Sequence, residues 1–225
     1  AQIMKRADFV LGIGTSFTHA FAGSGYDYFN KHAKIGLVNL DKTELFKKGL
    51  TLDFPVNVDA ADFLNRCLEF KLLNSDNPTY QKWLQECNQH LYDNEVIKDE
   101  MKSNPINSYY FVDCLSRCMD KNQILVNDAG SANYVCSQAF KLNRKQRELT
   151  SGAFYSMGLA LPLAIGASAS QPDKQVVAVT GDGSIELNIQ ELRTMSQNRL
   201  NIKLFVINNG GYASIRKSQD EMSDE

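Results

Sequence analysis

Two short apolar runs govern what this chain can fold into. One is Val176-Val177-Ala178-Val179-Thr180, which ends in Gly181-Asp182-Gly183-Ser184; the other is Ile202-Lys203-Leu204-Phe205-Val206-Ile207, which ends in Asn208-Asn209. Each is rich in β-branched residues, and an amphipathic helical pattern lies between them, so the unit reads as strand, helix, strand. In an open parallel sheet, ligands collect at the carboxyl ends of the strands, and here both ends carry polar turns. The glycines allow positive φ and close approach of a ligand to the main chain, while Ser184 stands where a helix begins with unpaired amides. A phosphate or diphosphate is the expected guest. Asp182 adds a carboxylate for a divalent cation. Oxygen ligands from a carboxylate, an amide, phosphates and water suit Mg2+ better than zinc.

The spacing carries a resemblance. Gly181-Asp182-Gly183, then twenty-four residues, then Asn208-Asn209 is similar to the cofactor motif of thiamine diphosphate-dependent enzymes. The flanks Asn188-Ile189-Gln190-Glu191-Leu192 and Asn209-Gly210-Gly211-Tyr212 resemble the branch containing acetolactate synthase, benzoylformate decarboxylase and pyruvate oxidase. The resemblance implies that Asp182, the Asn209 side chain and the Gly211 carbonyl ligate Mg2+, with Gly181, Gly183 and Ser184 at the diphosphate and Tyr212 beside them. It implies a second diphosphate turn at Gly130, Ser131 and Ala132, where many members have Gln-His in place of Ser-Ala. It also implies an aminopyrimidine shelf at Tyr155, Ser156 and Met157, and an apolar wedge at Leu187 that bends the cofactor. The family's catalytic glutamate belongs to a separate pyrimidine-binding domain, so none of the catalytic residues is expected in this chain. The implied activity is decarboxylation and carboligation of pyruvate-like 2-keto acids. The 225 residues alone are expected to be inactive, and the full-length protein to be a homodimer or homotetramer.

The expected fold is α/β, with parallel sheets flanked by helices: a Rossmann-like middle-domain fragment followed by a thiamine diphosphate-binding fold. Residues 1–73 form the partial middle domain, 74–105 an exposed connector, and 106–225 the diphosphate-binding domain, truncated at its end. In the first segment, strands are expected at 7–14, 33–41 and 55–59. Gly12-Ile13-Gly14 suggests a dinucleotide turn, but Phe17 stands where the third glycine of that fingerprint belongs. Some relatives bind FAD in this region after an Arg- and Asp-rich stretch, which residues 15–25 replace, so flavin is not expected. Asp41 and Asp59 are expected as helix caps, Ser108 as another, and a polar helix over 79–102. The alternative reading is a non-catalytic FAD- or nucleotide-binding module, or a truncated regulatory subunit.

Composition excludes other classes. With 43% hydrophobic and 22% charged residues, the chain has room for a proper core. A net charge of −2 lends no support to nucleic-acid or membrane-surface binding, and no apolar run reaches the length of a membrane span. The five cysteines lack paired metal spacing, which points to reduced thiols and a cytoplasmic setting. His19, His32 and His90 share no metal spacing either.

Overall fold

Parallel strands recur twice along the chain, and each set builds its own unit: residues 1–94 and residues 95–225. The structure is a computed structural model that describes residues 2–18, 22–23, 26, 29, 32–72, 75–102 and 105–223. His19, part of the 15–25 turn, and the chain end at 224–225 lie outside these residues.

The first unit holds a parallel sheet in the order β1 (Phe9–Ile13), β2 (Lys34–Val38), β3 (Phe54–Val56). One face packs Val10, Ile35 and Leu37 against Phe17, Phe29, Leu45 and Leu50. β3 stops earlier than the expected run because the Asn57 side-chain amide turns to donate to the carbonyls of Asn39 and Leu40, at 2.9 and 2.8 Å. Asp41 and Asp59 act as the expected N-caps, accepting from the amides of Thr43 and Ala61. The polar helix covers only Pro78–Asp93, capped by Asn77. It ends there because the amide nitrogens of Asn94, backbone and side chain, both donate to the His90 carbonyl. Arg6 ties this helix into the first unit, reaching Glu86 at 2.6 Å with its guanidinium 5.8 Å from the Trp83 ring centroid.

After a short 3-10 turn at Asp99–Lys102, the second unit has a helix at Ser108–Cys118. Its cap is Asn107 rather than Ser108: the Asn107 carboxamide oxygen accepts from the amides of Tyr109 and Tyr110, so Ser108 becomes the first helical residue. A four-stranded parallel sheet follows, in the order β5 (Arg147–Leu149), β4 (Ile124–Asn127), β6 (Val176–Gly181), β7 (Ile202–Ile207). β6 and β7 pair in parallel, as the strand, helix, strand reading requires. Leu125, Val177 and Val179 pack on one face with Val112 and Val135. Ile124, Val126 and Ala178 pack on the other with the small residues Ala160, Ala164 and Ala167 of helix Ala160–Ser170. The chain leaves β4 towards β5 and then returns to the opposite side of β4 to lay down β6. The order therefore reverses between β4 and β6, and their carboxyl ends flank the crevice in which open α/β sheets hold ligands.

Candidate thiamine diphosphate site

At that switch point the two turns face one cleft of about 240 Å3. β4 delivers Asp128 and Ala129 to the start of helix Ser131–Ala139, whose N-cap is Gly130 and carries no side-chain cap bond. The amides of that first turn are thus left without a side-chain acceptor, which suits an anion. β6 delivers Asp182 and Ser184, and β7 delivers the loop 208–212 that closes the opposite side.

Asp182 organises this loop. Its Oδ1 accepts from the Gly183 amide at 2.9 Å, and its Oδ2 from the amides of Gly211 at 2.7 Å and Asn209 at 3.2 Å. Burial alone would push the carboxyl upward. The amides of Gly211, Gly183, Asn209 and Gly210 outweigh it and hold the group below the usual carboxylate range, so it is charged near neutrality. The carbonyls of the same loop face a cation of the chain's own: the Arg216 guanidinium donates to Gly210 at 2.5 Å, to Asn209 at 3.3 Å and to Gly211.

Of the residues predicted for the site, Gly130, Ser131, Ala132, Tyr155, Met157, Gly181, Asp182, Gly183, Ser184, Asn209 and Tyr212 line the cleft together. Ser156 is exposed, and Leu187, 54% exposed, stands against Gly158, where an added methyl would come within 2.7 Å of the Leu187 Cβ. Gly211 meets the site through its amide on Asp182, while its carbonyl takes Arg216. The sequence reading did not single out Tyr134, Ala213, Ser214 and Ile215, which also line the cleft. The last three open helix Ala213–Ser223 directly after the Asn-Asn turn, and a helix start after a glycine pair was the available signal.

The residues present fit a diphosphate with a hard cation. Gly183 lets Tyr212 pack close against this turn, since an added Cβ would lie 3.0 Å from the Tyr212 ring and 3.1 Å from its amide nitrogen. Among the described residues no three His, Cys, Asp or Glu side chains cluster as metal ligands. A cation at Asp182 would therefore draw its other ligands from amide, carbonyl, phosphate and water oxygens, the donor set of Mg2+.

Residues 128–225 match the family described as "Thiamine pyrophosphate enzyme, C-terminal TPP binding domain". Over these residues the chain is similar to the thiamine pyrophosphate-binding domain of that family. Its curated relatives include the acetolactate synthase isozyme 1 large subunit of Escherichia coli (strain K12), 30% identical over 217 residues, which are 96% of this chain and 37% of that protein. The acetolactate synthase large subunit of Lactococcus lactis subsp. lactis (strain IL1403) is 25% identical over 99% of the chain and 38% of the relative. The chloroplastic acetolactate synthase 1 of Nicotiana tabacum is 29% identical over 90% of the chain and 30% of the relative. The chain thus spans well under half the length of these relatives. The alternative of a stand-alone flavin or nucleotide module is not favoured by these matches, and the Phe17 ring lies where a Cβ on Gly12 would meet it at 2.7 Å. No helix among the described residues is long and apolar enough to cross a membrane.

Proposed function

We propose that this chain is the thiamine diphosphate- and Mg2+-binding portion of an acetolactate synthase-like enzyme that decarboxylates and joins 2-keto acids. The observation that carries the reading is the convergence of two open diphosphate turns, the Tyr155 and Met157 backbone, and the Asp182–Asn209 pair on one cleft. Asp182, Asn209 and the Gly211 carbonyl would hold the cation, the turns at Gly130–Ala132 and Gly181–Ser184 the diphosphate, and the backbone of Tyr155 and Met157 the pyrimidine. When bound, the cofactor supplies a nucleophilic carbon and a sink for the electron pair left by carbon dioxide. The protein's part is to orient and to exclude water. For the Gly211 carbonyl to ligate the cation, Arg216 would have to release it, and Leu187, packed against Gly158, would be the apolar support. A glutamate from outside these 225 residues, on another domain or a second copy, completes the site. The assembled enzyme is a cytoplasmic dimer or tetramer, and the isolated chain turns over no 2-keto acid.

Calorimetric titration tests the reading. Thiamine diphosphate is expected to bind with Mg2+ and to lose its binding with chelator or in Asp182→Ala. Affinity that chelator leaves unchanged would sink the proposal.

A further inference from the structure

Asp128 is 1% exposed, and its carboxylate is saturated by donors from three separate segments. Oδ1 accepts from the amides of Ala129 at 2.8 Å and Gly158 at 2.9 Å; Oδ2 accepts from the Thr180 hydroxyl at 2.8 Å and the Ala160 amide at 3.2 Å. Ala129 opens the first turn of the cleft, Gly158 and Ala160 follow the Tyr155–Met157 shelf, and Thr180 immediately precedes the Gly181–Ser184 turn. A single side chain therefore bonds to all three walls, and the Gly181–Ser184 turn has further anchors of its own in the bonds of Asp182 to Gly183, Asn209 and Gly211.

The bond to Gly158 has a particular consequence. In a trans peptide the N–H and the preceding C=O lie in one plane and point in opposite directions. Anchoring the Gly158 N–H on a buried carboxylate thus fixes the direction of the Met157 carbonyl, and Met157 lines the cleft. The other side of Gly158 is held as well, its carbonyl accepting from the Asn188 carboxamide at 2.9 Å. Held on both sides by hydrogen bonds, the Gly158 backbone has little freedom to rotate. We infer that Asp128 is a positioning residue for the heteroaromatic half of the ligand: through Gly158 it presents the Met157 carbonyl to the pyrimidine, while the diphosphate turns hold their shape without it. This inference rests on the thiamine diphosphate reading above.

The test compares two ligands on the 225-residue chain with Mg2+ present: thiamine diphosphate and inorganic diphosphate, which lacks the pyrimidine. In Asp128→Asn, a substitution that keeps size and replaces one acceptor oxygen with a donor, thiamine diphosphate affinity is expected to fall roughly ten- to a hundredfold, the usual cost of losing an orienting partner. Inorganic diphosphate is expected to stay within about twofold, as for an uncoupled site. Equal losses for both ligands, or no loss for either, overturn the inference while the cofactor assignment stands. Failure of the unsubstituted chain to bind thiamine diphosphate overturns both. Should circular dichroism show Asp128→Asn unfolded, Thr180→Val, which removes one donor from the same carboxylate, decides: a selective severalfold loss supports the inference and an unchanged ratio overturns it.

Discussion

Cys136 lies behind the first turn of the cleft at 1% exposure, and burial, followed by the nearby Glu148 carboxylate, pushes its thiol up from 9.0 to about 12. The raised value means that the folded thiol keeps its proton where the unfolded one loses it. Any contribution to stability is whole below pH 9.0 and drains away as pH rises towards about 12. Alkylation at pH 8 followed by peptide mapping is expected to label the exposed Cys118 and spare Cys136. At this scale the legible residues were those whose partners are close in sequence or fixed by a motif. Asp41 and Asp59 cap the amides two positions on, and Asp182 sits inside a turn whose shape its glycines announce. Asp128 gave no such signal, because Gly158, Ala160 and Thr180 lie 30, 32 and 52 positions away and only the folded sheet brings them to it.

Among the elements, the shelf turn carries the clearest backbone constraint. Gly158 has φ +79°, and a Cβ there would meet the Leu187 Cβ at 2.7 Å and the Ser184 carbonyl at 3.1 Å. Gly158→Ala is therefore expected to destabilise the second unit by about 1–3 kcal/mol, read from thermal or urea unfolding, and to weaken cofactor binding along with it. Tyr155, at φ 47°, enters the same turn in a conformation that side chains seldom adopt. The strands β4 and β6 were readable because buried parallel strands are near-continuous apolar runs, and β7, half-buried and interrupted by Lys203, was readable from its β-branched residues. β5 was not: Arg147-Glu148-Leu149 has two charged residues out of three, and it becomes a strand only because β4 offers it an edge. The helix ending at Asp93 was overextended in the sequence reading, since an Asn that closes a helix on its own carbonyls looks, in a polar stretch, like one more helical residue.

For the molecule as a whole, every residue lining the cleft comes from the second unit. A chain beginning at Glu95 is expected to keep Mg2+-dependent thiamine diphosphate binding within about twofold of the longer one, and residues 1–94 to show none by the same calorimetry. Fold class was legible at this scale from two strand-ending turns and their spacing, whereas the reversal of strand order that opens the crevice depends on which side of β4 each crossover takes. The loop at 208–212 has its polar backbone groups held from two sides. Its carbonyls are held by Arg216 and its amides by Asp182, so the segment is gripped from both sides by the chain itself. Under the proposed reading, a cation loaded there would exchange one positive partner for another, and the Arg216 guanidinium would stand ready to take the same carbonyls back.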